Sequence, residues 1–345
     1  MKTLQQLAST RNIPTSVAWS VADLAERRGQ QELFTKQSPQ RLRVLREHAL
    51  IESTVSSNRI EGVTIEQSRV KPVILGKSLL RDRDEEEIRG YRDALKLIHE
   101  QHNRLSISEK TIKQLHVISR AKIGDAGKYK TKDSDIIEKY ADGRSRIRFR
   151  TVSAKQTPSF MHKLLVACDD TLEEKKVHPL IAVAALNLDF LCIHPFRDGN
   201  GRVSRLLLLM CYQLGFEVGR YISLERLIEE NKERYYETLE ESSQNWHDGK
   251  HDPWPFVNYL LFIVKNAYRE FEERVGQLSS PRGSKTEMIL DAIDSADGSF
   301  RALDIQLQSP GVSLDLIRKV LKDLRPRVKC LGRGKDAKWQ KTTKW

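Results

Sequence analysis

The sequence predicts an all-α protein with one small β-hairpin, followed by a C-terminal module of three short helices and a β-wing. Three observations carry this. Apolar residues recur at helical spacing through much of residues 40–278. Two β-prone runs, Asp135-Ile136-Ile137 and Ile147-Arg148-Phe149, flank Ala141-Asp142-Gly143, and Asp-Gly between such runs signals a hairpin. Turn-forming residues gather in Ser279-Ser280-Pro281-Arg282-Gly283-Ser284, which reads as a linker.

Within the first 35 residues the apolar positions Trp19, Val21, Leu24 and Phe34 are scattered and read as short elements packing on the main body. A strong helix begins near Gln40. Leu42, Leu45 and Ala49 form its stripe, widened by Val44, Ile51 and Val55. It reaches Asn58 to Glu61 and stops at Gly62, a C′ glycine. Thr64-x-x-Gln67 reads as a capping box opening a short helix. Helices follow over Arg89–His99 and Lys110–Ser119, and Pro158 introduces another after the hairpin. The remaining helices are His178–Ile193, Val203–Leu214, Leu224–Ser242 and Pro255–Leu278. Beyond the linker, helices are expected at Thr286–Ile293 and Ala302–Leu307, then a Pro310-Gly311 turn. A third helix, capped by Ser313, runs to Leu324. Val328–Leu331 and Ala337–Gln340 are the wing strands around Gly332-Arg333-Gly334-Lys335, the outline of a winged helix-turn-helix. The expected division is an N-terminal helical region 1–80, a central domain 81–278 and a winged helix 285–345.

With 345 residues, 39% hydrophobic and 31% charged, the chain is long enough for two or three domains, and collagen-like or disordered classes are excluded. The most apolar run, Leu180 to Ile193, is broken by Asn187 and Asp189, too short and too polar to cross a membrane. The start, MKTLQQLASTRNIP, holds no apolar signal core. The expectation is a soluble, cytoplasmic protein with no membrane partner. Cys168, Cys192, Cys211 and Cys330 have no metal-finger spacing and read as core residues. The net charge of +12 is uneven: Pro281 to Trp345 holds 14 Lys or Arg against 8 Asp or Glu. That balance tolerates nucleic acid or an anionic protein face as partner.

The chemistry concentrates in His194-Pro195-Phe196-Arg197-Asp198-Gly199-Asn200-Gly201-Arg202, continuing to Arg205. Gly199 and Gly201 let backbone approach a ligand closely where a helix begins, and a helix N-terminus with free N–H groups is an anion site. Asp198 beside it suits a divalent cation; Mg²⁺ takes one or two carboxylates plus phosphate oxygens. Arg202 and Arg205, spaced i, i+3, sit on one face of the first turn and reach further phosphates. His194 is the evident general base. Singly, each has an ordinary reading: a helix-end histidine, a turn, a solvated ion pair. Together they fall within twelve residues.

This segment resembles the Fic family signature HPFx[D/E]GNGRxxR, matched without a departure, and the resemblance extends over about Gln40 to Leu278. It implies an all-α Fic core with a hairpin flap. The implied activity is protein adenylylation: AMP passes from ATP to a Ser, Thr or Tyr hydroxyl of a target protein, or of the chain itself, and diphosphate leaves. On that resemblance His194 deprotonates the hydroxyl and Asp198 holds Mg²⁺. The Gly199–Gly201 backbone, Asn200, Arg202 and Arg205 bind phosphates. Tyr235, Tyr236 and Asn231 border the adenosine, and the flap at Ile147–Phe149 pairs with an extended target segment. Family members that phosphorylate carry lysine at the second glycine; Gly201 favours nucleotidyl transfer, with phosphocholine an open alternative.

Ser57-Asn58-Arg59-Ile60-Glu61-Gly62 resembles the family's inhibitory motif [S/T]xxxE[G/N]. Ser57 and Glu61 are i, i+4 and share a helix face. The resemblance implies that Glu61 pairs with Arg205 and misaligns ATP. Read without it, the segment is an ordinary helix end. The overall expectation is an autoinhibited adenylyltransferase; the alternative is a DNA-binding regulator with a secondary Fic core. The winged helix takes duplex DNA or a protein, and a homodimer stays open.

Overall fold

The computed structural model describes the chain apart from residues 1, 11, 38, 77, 122–123, 140–141, 279–283, 297, 310, 326, 333, 335–336 and 343–345. The side chains of 32–41, 102, 139, 210, 213, 276–278 and 284 are also outside the description. Most of the expected linker therefore lies outside it, as do Ala141 of the hairpin turn, Pro310, the Phe34 side chain, and Arg333 and Lys335 of the wing turn.

Two compact units form. One combines Met1–Gln31 with Ala49–Tyr268, the other Glu32–His48 with Arg269–Trp345. This differs from the expected division, because residues 1–31 and 49–80 belong to the same unit as the His194 segment. The first unit begins with α1 (Lys2–Ser9) and α2 (Thr15–Gln37). The latter corrects the expectation of short elements: it is one 23-residue helix in which Val17 and Leu24 are buried while Trp19 is 74% exposed. One buried stripe suffices to hold such a helix, so the scattered apolar positions did not mark breaks.

Next come α3 (Pro39–Ile60), α4 (Gln67–Ile74), α5 (Arg83–Gln101) and α6 (Glu109–Ser119). The α3 end is closed by Val63 N–H donating to the Asn58 carbonyl at 2.9 Å, past Gly62. The capping box at Thr64 does not form. Glu66 is the N-cap, without a side-chain bond, and the first turn closes by Arg69 N–H to the Glu66 carbonyl at 2.8 Å. The hairpin is β1 (Ile136–Lys139) against β2 (Ser145–Phe149), antiparallel, with Ile137 opposite Ile147. Then follow α7 (Thr157–Glu173), α8 (Pro179–Ile193) and α9 (Asn200–Leu208). The last starts three residues before the expected Val203 and gives way to a 3-10 segment, Leu209–Leu214. The expected helix Leu224–Ser242 is two, α10 (Leu224–Glu230) and α11 (Lys232–Ser243), interrupted at Asn231. The long α12 (Trp254–Leu278) ends the series.

Helix α8 is the hub. Every residue from Leu180 to Ile193 is buried, the behaviour of a helix apolar all round. Each Leu, Ile or Phe there contributes ~1.5–3 kcal/mol by leaving water. Its two polar residues are satisfied internally. Asn187 and Ser204 exchange hydrogen bonds at 2.7 Å, which fixes α8 against α9. Asp189 accepts from Thr3 N–H (3.0 Å), Thr3 Oγ1 (2.6 Å) and Trp246 Nε1 (2.6 Å), so the start of α1 is pinned to the core.

The second unit contains α13 (Ser284–Asp294), β3 (Ser299–Arg301), α14 (Ala302–Gln308), α15 (Leu314–Asp323), β4 (Val328–Cys330) and β5 (Lys338–Lys341). Its sheet is antiparallel in the order β3-β5-β4. Ile293, Phe300, Ile305, Ile317, Leu321 and Trp339 are among its core residues. Strand β3, absent from the sequence reading, is three residues long and pairs Phe300 with Trp339. Among the described residues no helix is long and apolar enough to cross a membrane.

Candidate active site

The loop between α8 and α9 carries His194 to Gly199, and its shape is set at three points. His194 caps α8 in the left-handed backbone region (φ 53°, ψ 61°), costly for a residue with a Cβ. Gly199 is also left-handed (φ 81°) and is the N-cap of α9. Asn200 braces the turn between them: its Oδ1 accepts from Phe196 N–H at 2.9 Å and its Nδ2 donates to the Phe196 carbonyl at 2.8 Å. The Asn200 side chain is thus engaged with the loop itself.

At the N-terminus of α9 a Cβ added at Gly201 would collide with the Glu61 carboxylate and come within 3.3 Å of Arg205 Nη1. The segment after α3 therefore rests directly on the start of α9. Arg205 is buried and donates three times to α3: Nε to Ser57 Oγ (2.8 Å), Nη2 to the Ser57 carbonyl (3.0 Å) and Nη2 to Glu61 Oε1 (2.8 Å). Burial opposes the Arg205 charge, but Glu61 outweighs it and raises the guanidinium above its usual range. Ser57, Glu61, Gly201 and Arg205 are brought together.

Arg202 faces the other way. It is 2% exposed, and its Nη1 donates to Glu87 Oε2 at 2.6 Å. Glu87 also accepts from Arg120 Nη1 (2.9 Å) and Arg83 Nε (2.9 Å). Burial alone would raise the Glu87 carboxyl; the guanidiniums, led by Arg202, outweigh it and hold it below the usual range. Arg120 Nη1 continues to Asp198 Oδ2 at 2.7 Å, and Asp198 Oδ1 accepts from Gly199 N–H at 2.6 Å. Asp198 remains 51% exposed.

Behind the loop, His116 stacks on Phe196 with ring centroids 3.8 Å apart. Gly127 N–H donates to its Nδ1 at 2.8 Å, so the proton sits on Nε2, which donates to the Asp198 carbonyl at 2.9 Å. Burial lowers the His116 imidazole from its ordinary value, consistent with this neutral tautomer.

A cavity of about 160 Å³ opens between the loop and the flap. His194, Gly201, Arg205, Glu61, Tyr235 and Tyr236 are among its walls. Burial pushes the Tyr235 phenol up to about 12. Asn231 does not reach the cavity; it interrupts α10 and α11, with Nδ2 donating to the Leu227 carbonyl at 2.9 Å. The flap is tied to α11 through Glu240, which takes Arg146 Nη2 at 2.8 Å and Arg148 Nε at 3.0 Å. Ile137 and Ile147, opposite each other, are about half exposed on it.

The His194 Nδ1 lies 3.4 Å from the Leu191 carbonyl, which can only accept. The proton is then on Nδ1, and Nε2 is free as a base. Burial, then the positive charge of Lys130, lowers this imidazole to about 4, so it is unprotonated at neutral pH.

Sequence reasoning missed Glu87, Arg120, His116 and Lys130. Glu87 sits in the run Asp84-Glu85-Glu86-Glu87, which reads as a solvated first turn, yet Glu85 and Glu87 are buried. The others lie more than 60 positions before the loop, with no periodic signal linking them to it.

Residues 106–212 match the Fic/DOC family. The protein adenylyltransferase Fic of Nematostella vectensis is 26% identical over 259 residues, covering 70% of this chain and 53% of that protein. The protein adenylyltransferase fic-1 of Caenorhabditis elegans is 26% identical over 251 residues, covering 68% and 42%. The chain thus spans about half the length of the curated relatives it matches. A Fic family protein of Desulfovibrio desulfuricans shares the fold with a TM-score of 0.63 at 22% identity, covering 97% of this chain and 98% of that one. A Fic domain protein of Bacteroides thetaiotaomicron does so with 0.61 at 21%, covering 74% and 97%. The matched stretch holds the whole loop from His194 to Arg205 together with His116, Arg120 and Lys130 behind it, and over that stretch the chain is similar to the Fic/DOC family.

Proposed function

We propose that this chain is an autoinhibited protein adenylyltransferase. One observation carries the reading: the Glu61 carboxylate occupies the nest at Gly201 and holds Arg205, a few residues from a histidine with a free Nε2. A nest of N–H groups beside buried arginines suits polyphosphate. In the reaction a target hydroxyl oxygen bonds to the α-phosphorus of ATP and the bond to the bridging oxygen of the β-phosphate breaks. Diphosphate leaves, and His194 Nε2 takes the hydroxyl proton. Tyr235 and Tyr236 wall the side where adenosine would lie, and the flap offers its edge to an extended target segment.

Among the described residues no three metal-ligating side chains converge, whereas a half-exposed carboxylate beside the nest fits an ion that takes one carboxylate plus phosphates. Asp198 would hold Mg²⁺, which when bound offsets phosphate charge; Arg120 now occupies one Asp198 oxygen. Glu61 in the nest excludes the terminal phosphate, and a phosphate misplaced by ~1 Å can cost ~10²-fold in rate. The setting proposed is the cytoplasm, where ATP is at hand. The test is incorporation of labelled AMP from Mg·ATP by the purified chain, wild type and Glu61→Gly. Incorporation well above wild type supports the reading; equal, absent incorporation in both removes it.

A second reading concerns the second unit, whose elements fit a winged helix. Lys319, Lys322, Arg325, Arg327, Lys329 and Lys338 are exposed on and after α15 and on the strands β4 and β5. Such a surface suits duplex DNA, with affinity falling steeply as salt rises. Asp315 and Asp323 on the same helix are the opposing charges. Binding that ignores salt, or deletion of 281–345 abolishing self-modification in a folded chain, would count against an independent DNA-binding unit.

A further inference from the structure

His194 is held in the left-handed region between Ile193 and Pro195. The carbonyls on both sides of it are taken by one residue far upstream. Lys130 Nζ donates to the Ile193 carbonyl at 3.2 Å, and Lys130 N–H donates to the Pro195 carbonyl at 2.9 Å. The same Nζ donates to Thr151 Oγ1 at 2.6 Å, which fixes the ammonium behind the loop. Lys130 is only 5% exposed. An ammonium desolvated this far is costly unless its donors are used, and two of the three have partners.

We infer that Lys130 is a positioning residue for His194: it clamps the peptide groups on either side of the histidine and sets a fixed positive charge behind the ring. The inference rests on the reading of His194 as the general base. A residue in a strained backbone region persists only where its surroundings overdetermine it, and a bracket on both flanking carbonyls does that. Lys130 touches neither the nest nor Arg205, so its effect passes through His194.

The charges around the ring decide the sign. From the segment between α6 and β1, Lys130 disfavours the imidazolium, as burial does more strongly. From the end of α3 and from the loop, Glu61 and Asp198 favour it. Arg148 and Glu240, paired with each other, and Arg205, Tyr235 and Tyr236 complete the cavity wall. Burial lowers the Lys130 ammonium to about 8, with Asp133 and Asp135 opposing, so it is still charged at neutral pH. Removing the lysine charge must therefore raise the His194 titration.

The test is an NMR titration of His194 in the full chain with labelled histidine, using His194→Ala to assign the signal. Wild type should titrate well below 6.5. Lys130→Gln should move the titration up by about half a pH unit or more, the scale of one neighbouring charge, and Lys130→Arg should stay near wild type. In the Glu61→Gly background the acid limb of AMP transfer should move with it, with the KM for ATP unchanged. An unmoved titration in Lys130→Gln, an equal shift in Lys130→Arg, or a wild-type value near 6.5 overturns the inference. So does a Lys130→Gln chain that fails to fold, which would make Lys130 a structural residue. Absence of AMP transfer while the NMR shift occurs would instead remove the adenylylation reading and leave the clamp standing.

Discussion

Arg202 and Arg205 stand one turn apart on the same helix, are equally buried, and each faces a glutamate, yet they belong to different machines. The Arg202 partner, Glu87, is 4% exposed and is shared with Arg83 and Arg120, so no single motion can release it. The Arg205 partner, Glu61, is 28% exposed and lies past the last residue of α3. Ser53, Ser57 and Glu61 follow each other at i, i+4, i+8, and the contacts of this face are polar: Ser53 Oγ donates to Glu225 at 2.7 Å, and Ser57 and Glu61 hold Arg205. A face joined by hydrogen bonds detaches into water at less cost than one joined by apolar surface, because water replaces the bonds lost. One cluster is scaffold; on the proposed function the other is a plug.

The largest effect expected is at the groove between them. In the Glu61→Gly background, His194→Ala should lower AMP transfer by ~10²–10⁴-fold while calorimetry still detects ATP binding, since the base alone is lost. Transfer above about a tenth of the parent would remove His194 from that role. The scaffold comes next. Glu87→Gln leaves buried guanidiniums without their counter-charge, and loss of one partner of a buried ion cluster costs ~3–5 kcal/mol. Chemical denaturation should show that loss, with no gain of activity. Activation comparable to Glu61→Gly would erase the distinction between the two clusters.

Ser57→Ala sharpens the plug side. It removes one neutral hydrogen bond to Arg205, ~0.5–1.5 kcal/mol, and leaves the Glu61 charge in the nest. Self-modification should rise by no more than about tenfold. A Ser57→Ala chain as active as Glu61→Gly would mean that the helix end, not the carboxylate, is what inhibits. The smallest effect is on stability against pH. His194 and His251 are both lowered to about 4, chiefly by burial. An unfolded histidine takes its proton near 6.5, so both groups contribute stability that is complete above that value and is lost as pH falls toward 4. Melting temperature should decline through that window. His251→Gln should flatten the decline, and an unchanged slope would show that this histidine does not contribute.

How much of this could be read beforehand follows a physical pattern. The loop was legible because its chemistry is contiguous: a base, a carboxylate, two glycines and two arginines lie within twelve residues, and backbone geometry alone places them at one helix start. The partnership of Glu61 with Arg205 came from resemblance, not spacing, since 144 positions separate them. The scaffold around Arg202 was illegible. Arg202 and Arg205 at i, i+3 looked like a pair reaching one ligand, but α5 packs close enough for Glu87 to take Arg202.

The sequence by itself determined most of the helices and the hairpin, because period, turn residues and caps are local properties of the chain. It did not determine that α2 would run unbroken, or that Thr64 would fail to cap α4, since packing chooses among local alternatives of nearly equal cost. Only the tertiary structure decided which charges became permanent and which removable. That outcome depends on burial and on how many partners converge on one carboxylate, and neither quantity exists until distant segments meet. Glu87 and Glu61 are the same residue type; three guanidiniums and a closed environment make one a buried scaffold, and one guanidinium at a helix end leaves the other half-open, as the proposed plug requires.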